Sequence, residues 1–202
     1  MKDFLKKAHK WAKILGHCYG VRAIFLSGSV AEGRATEASD IDFFIIAKSG
    51  QIWTARFFIF LALKLFNQLA KPQHHAGKIC PNHFIADHGL EIIEQDLYSA
   101  HLFTHNKPLY DPDGVFPLFV RANEKWVKVF REDFNDGRDV ACYVSTKSFP
   151  KKEAGKIEKF LEVIQRWKIE KNPDFKKAGA VIVLNDNELR FHPEPKNKKK
   201  KV

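Results

Sequence analysis

Leu26-Ser27-Gly28-Ser29, ten intervening residues, then Asp40-Ile41-Asp42-Phe43 is the stretch on which the fold of this chain turns. Arg22 to Ser27 is a short apolar run with strand character that ends at Gly28. Ile41-Asp42-Phe43-Phe44-Ile45-Ile46-Ala47 reads as a second strand, entered through Ser39-Asp40. Between them Ser29-Val30-Ala31-Glu32 has the Ser-x-x-Glu form of a capping box, which predicts a short helix from Ser29 to near Gly33.

Strand residues two apart point the same way, so Asp40 and Asp42 share a face, their Cα atoms roughly 6.6 Å apart. Their carboxylates can converge on one cation, or on two ions spaced roughly 3.5–4 Å apart. Two acids so placed repel unless a cation lies between them. Magnesium suits the pair: it is hard, prefers oxygen, and is commonly held by one or two carboxylates plus substrate phosphates. Gly28 lets the backbone approach a phosphate closely. Ser29 adds a hydroxyl, and the helix beginning there aims free amides at the same anion. Each part has a plainer reading. Gly28-Ser29 is also a common strand-to-helix turn, and Asp42 could lie on a solvated strand face. Against that, an acid entering a strand as apolar as Phe43-Phe44-Ile45-Ile46 is rarely decorative.

The run from Gly28 to Asp42 resembles the signature of the DNA polymerase β-type nucleotidyltransferase superfamily, most of all its small bacterial minimal-nucleotidyltransferase members. The resemblance implies an α/β (α+β) fold, with a small mixed β-sheet flanked by helices. It implies Gly28 and Ser29 at the phosphates of an NTP substrate; Arg34, whose guanidinium suits a triphosphate but which could equally be ordinary loop charge, and Ser39 complete the expected nucleotide-binding set. It also implies Asp40 and Asp42 as ligands of a two-ion Mg2+ site, and transfer of an NMP group, expected to be AMP, with loss of pyrophosphate. Members of the superfamily often carry a third carboxylate on a later strand. Here the corresponding run, Lys78 to Ala86, contains no acid. Either His83, as a general base, or one of the acids that follow, Asp87, Glu91 or Asp96, is expected to complete the site; the alternative for His83 is a structural residue with its nitrogens satisfied.

Apolar spacing predicts helices over Lys2–Cys18, Ile52–Leu69, Asp96–Phe103, Phe116–Phe130 and Glu153–Glu170, and a third strand over Ile79–Ala86. The Ile52 helix is apolar almost all round and is expected to be central and buried. Ile157, Phe160, Leu161, Ile164 and Trp167 mark the expected inner face of the last helix, and Trp53, Trp126 and Trp167 are expected in the core. Ala180–Leu184 and Glu188–His192 read as a hairpin across Asn185-Asp186-Asn187. These elements suggest a nucleotidyltransferase-like domain over 1–131, a smaller C-terminal helix and β-hairpin region over 132–195, and a basic disordered tail over 196–202.

With 45% apolar residues and 18 Phe, the 202-residue chain is globular rather than disordered. The clean apolar run near Phe57 is too short to span a bilayer, so no membrane association is expected. Cys18, Cys80 and Cys142 make no disulfide framework, and the amino-terminal segment is no signal peptide; the cytoplasm is the expected compartment. His74, His75, Cys80 and His83 match no established zinc spacing. Five lysines between Lys196 and Lys201 supply half of the +10 net charge, a solubilising tail or a weak nucleic-acid contact. The leading expectation is an enzyme that moves a nucleotidyl group to a hydroxyl on a small molecule, a protein or an RNA. A catalytically weakened nucleotide-binding or regulatory module and a basic RNA-binding protein are the alternatives.

Overall fold

The computed structural model describes residues 2–71, 73–131, 148–173 and 181–192. The tail over 196–202 and the soft boundary beginning at 132 therefore lie outside the described residues, as does Cys142.

Elements follow in the order α1 (Lys2–Gly16), β1 (Val21–Ser27), α2 (Gly28–Ala31), β2 (Ile41–Ala47), α3 (Ile52–Leu65), β3 (Ile79–Ala86), α4 (Leu97–His105), β4 (Lys107–Tyr110), α5 (Val115–Phe130), α6 (Lys156–Glu170), β5 (Val181–Leu184) and β6 (Glu188–His192). The strands form one mixed six-stranded sheet in the order β4-β1-β2-β3-β6-β5. Only β2 and β3 run parallel; every other neighbouring pair is antiparallel. This is the small mixed sheet flanked by helices that the sequence implied. The C-terminal hairpin extends it, because β6 pairs with β3 from His83–Arg190 to Ile85–Glu188.

Strand alternation divides the core in two. Ile24, Leu26, Ile41, Phe43, Ile45 and Phe84 pack with α1 and α3 on one face. Ala23, Phe25, Phe44, Ile46 and Ile85 pack with α4 and α5 on the other. All of β2 is buried, as expected of a strand covered on both faces. Asp42 therefore sits on the α4–α5 side, two residues from Phe44 and opposite Ser27 of β1.

Four expectations are corrected. The Ser29–Glu32 capping box does not form: α2 starts one residue earlier, with Ser27 as its N-cap and no side-chain cap, and Glu32 is its C-cap. Helix α3 stops at Leu65, and the left-handed Asn67 (φ 52°) turns the chain so that Leu69 bridges to Ile79. Nor is α3 fully buried. It inserts Ile52, Trp53, Ala55, Ile59 and Leu63, while Phe57, Phe58, Leu61 and Leu65 stay exposed.

Helix α6 packs by a face rotated from the one its apolar spacing indicated, keeping Leu161 of that set against the core. Ile157, Phe160 and Trp167 face outward, Trp167 being 54% exposed under the Lys171 ammonium. The buried residues are Glu158, Gln165 and Ile169. The reason lies in α3, whose N-cap Gln51 gives no side-chain cap. Glu158 supplies the missing acceptors, taking the Trp53 and Thr54 amides at 2.7 and 2.9 Å and the Thr54 hydroxyl at 2.5 Å. Gln165 donates to the Trp53 carbonyl and accepts from Arg56. Orphan amides at a helix start must find acceptors somewhere, and here they draw the polar face of α6 inward.

Strand β4 has no signal in the sequence. Lys107-Pro108-Leu109-Tyr110 is half exposed at the sheet edge, one of the places in a sheet where proline is tolerated.

Candidate active site

The site is built where β1 ends against the start of β2. Gly28 follows Ser27 with φ +64°, a left-handed conformation that side chains rarely adopt. A Cβ there would lie 2.1 Å from Asp42 Oδ2. The absence of a side chain at 28 is what lets the backbone turn directly over the Asp42 carboxylate. Asp42 itself is only 6% exposed. Asn82 donates to its Oδ1 at 2.7 Å from the neighbouring strand.

Asp40 lies just before β2 begins, and is partly exposed. Its carboxylate, that of Asp42 and the Cys80 thiol each offer a ligand atom within 4.8 Å of the others. Cys80 reaches this position because it is the register partner of Asp42 across the parallel β2–β3 pair. Two carboxylates converging at a glycine turn form an oxygen donor set suited to a hard divalent ion, whereas the thiol suits a softer one. The residues present therefore fit magnesium through Asp40 and Asp42.

The remaining sequence candidates divide. Ser29 lies on α2 beside Gly28, and its carbonyl accepts the Arg34 amide at 2.9 Å. The Arg34 guanidinium pairs with Glu32. The Ser39 hydroxyl accepts the Thr36 amide at 2.9 Å, closing the loop that leads to Asp40. His83 faces the same pocket as Asp42, but its Nε2 is 2.8 Å from Glu188 Oε1 and its ring lies 4.3 Å from that of Phe44. Burial holds the imidazole below its usual range, against the opposing pull of Glu188.

The acids after β3 are engaged elsewhere. Asp87 lies at the far end of the sheet, bonded to Arg22 and to the Ser49 amide. Asp96 caps α4 through the Ser99 amide, and Glu91 accepts from Gln95. Among the described residues no group of potential ligands joins His74 or His75 to Cys80 and His83.

Residues 9–79 match the family described as nucleotidyltransferase domain.

The match runs from His9, midway along α1, to the first residue of β3, and it bears out the resemblance carried by Gly28-Ser29 and Asp40-Ile41-Asp42. Asn82, α4 and the C-terminal hairpin lie beyond the matched nucleotidyltransferase residues. Among curated proteins none matches the chain. Among solved structures, a crystal structure of a toxin–antitoxin with AMP-PNP is similar at 17% identity and a TM-score of 0.36, covering 63% of this chain and 86% of that one.

Several pocket residues escaped the sequence reading. The hollow beside Gly28, Asp42 and Asn82 is also lined by Tyr98 and Asn106 of the α4 region and by Arg190 of β6. Arg190 is 2% exposed, donates to Ser99 Oγ at 2.9 Å and lies 3.1 Å from a Glu94 oxygen. No local pattern links position 190 to position 42; only the pairing of β6 with β3 brings them to one hollow. Asn82 was legible as a polar residue in an apolar strand, but its partner was not.

Proposed function

We propose that this chain transfers a nucleotidyl group, AMP in the first instance, from a magnesium-bound NTP to a hydroxyl acceptor with release of pyrophosphate. The observation that carries the reading is the Gly28 turn laid against the Asp42 carboxylate, with Asp40 beside it. Asp40 and Asp42 would hold the metal, which when bound offsets phosphate charge and favours attack at the α-phosphorus. Gly28 and Ser29 seat the phosphates, because the backbone there is bare of side chain and a hydroxyl stands next to it. Arg34 joins them by exchanging Glu32 for phosphate, to which a guanidinium is well matched. Asn82 holds Asp42 Oδ1 by donating to it, fixing the carboxylate toward the turn. His83 is the candidate to take the acceptor proton, with Glu188 orienting its ring. Thiols rather than disulfides at Cys18 and Cys80 accord with a reducing, cytoplasmic setting.

A second reading, a nucleotide-binding module without transfer, is favoured by one observation. The group beside Asp42 on β3 is the amide of Asn82, where an acid would help draw a proton from the acceptor. One experiment separates the two. The purified chain is incubated with magnesium, each of four labelled NTPs, and a panel of small-molecule, protein and RNA acceptors. Nucleotidyl transfer and pyrophosphate release that vanish in Asp42→Asn support the enzyme. Tight magnesium-dependent binding with no transfer across the panel supports the module. Transfer that persists in both Asp40→Asn and Asp42→Asn refutes the site.

A further inference from the structure

A second cluster of ligating side chains stands apart from Asp40 and Asp42. Helix α4 carries His101 and His105 one turn apart, and Glu32 closes the end of α2. Each of the three offers a ligand atom within 4.8 Å of the other two. Glu32 Oε1 is 3.2 Å from His101 Nε2, and the Glu32 side chain is only 5% exposed. The two imidazole rings are 4.6 Å apart between centroids.

The hydrogen bonding of His105 points to a ligand. Its Nδ1 lies 2.8 Å from the His101 carbonyl, which can only accept. Nδ1 therefore carries the proton, and in the neutral ring Nε2 keeps its lone pair. A metal-bound histidine is held in this same way, with its second nitrogen donating to a backbone carbonyl.

We propose that Glu32, His101 and His105 bind a zinc-class divalent cation, with a fourth position left to water. Two imidazoles and one carboxylate form a donor set for a borderline metal, and differ from the all-oxygen set that magnesium favours. The surrounding charges define what binding must displace. Arg34 pairs with Glu32, and Arg131 Nη1 lies 3.3 Å from His101 Nδ1. The ion replaces Arg34 on the carboxylate, and Arg34, 60% exposed, swings into solvent. His101 moves its proton from Nε2 to Nδ1, so Arg131 turns aside. The ion then ties the end of α2, which begins at Gly28, to α4.

The test uses the full-length chain in excess magnesium, titrated with zinc against a chromophoric chelator and, in parallel, with cobalt(II) followed by its visible spectrum. One zinc equivalent is expected. His105→Ala and Glu32→Gln should each weaken it by about tenfold or more, while Cys80→Ser leaves it unchanged. Cobalt should give ligand-field bands without a sulfur-to-metal charge-transfer band. Thermal unfolding of each variant without metal controls for folding. The proposal is overturned if zinc is not taken up, or if His105→Ala binds as the parent does. It also falls if Cys80→Ser removes the ion together with a thiolate band, which would put it at Asp40, Asp42 and Cys80. None of these outcomes depends on nucleotidyl transfer.

Discussion

Replacing Gly28 by alanine tests the geometry of the site in one methyl group. The backbone at 28 has φ +64°, and a left-handed conformation costs a residue with a Cβ about 1–2 kcal/mol. The new Cβ would also stand 2.1 Å from Asp42 Oδ2, far inside contact distance. Relief requires Asp42 to rotate, and rotation gives up the bond from Asn82, a net loss of about 0.5–1.5 kcal/mol. Gly28→Ala is therefore expected to lower stability by about 1.5–3.5 kcal/mol in urea unfolding, with an unchanged m-value. The two parts can be separated by a double-mutant cycle. In an Asp42→Ala background the carboxylate is gone, so only the backbone part, about 1–2 kcal/mol, should remain. A cost that is equal in both backgrounds would mean the glycine does not lie against the carboxylate. A cost under about 0.5 kcal/mol in the parent, the level of an ordinary surface change, would refute the turn as well.

Glu158→Ala removes the acceptors at the start of α3 and should cost about 1–3 kcal/mol in thermal or urea unfolding; Glu158→Gln, which keeps one acceptor oxygen, should recover part of it. Burial depresses the folded-state pKa of His83 below its unfolded value of 6.5. Its contribution is thus complete above that pH and declines as pH falls through the folded-state value. Between pH 7 and 5 the unfolding free energy of the parent should drop more than that of His83→Gln, and equal slopes would contradict a buried neutral imidazole. Removing Lys196 to Val202 should leave nucleotide affinity within about twofold in magnesium-dependent binding assays, since solvated charge runs contribute little; a steep loss would make the tail a binding element.

What was legible in the sequence is what depends on near neighbours. Gly28-Ser29 and Asp40-Ile41-Asp42 declare themselves because glycine is needed at one backbone position and two acids must converge over a short span. The strands β1, β2 and β3 were readable because apolar runs that short, bounded by glycine and polar turns, have few other fates. The same logic misled at α6. Periodicity there found the apolar stripe through Ile157, Phe160 and Trp167, but the helix faces are chosen by the unsatisfied amides at Trp53 and Thr54. Burying polar groups that complete each other's hydrogen bonds can outweigh burying a stripe, and spacing does not report it.

By itself, then, the chain's order of residues determined a glycine turn, a pair of acids and strands alternating with helices, while the mixed sheet followed only from the family resemblance. Tertiary structure alone decided that Asn82 grips Asp42, that Cys80 stands across from it, that His83 is held by Glu188, and that Arg190 reaches the same hollow. The physical reason is separation along the chain. Those groups meet through strand register, and a shift of one residue in register turns every side chain of a strand to the other face.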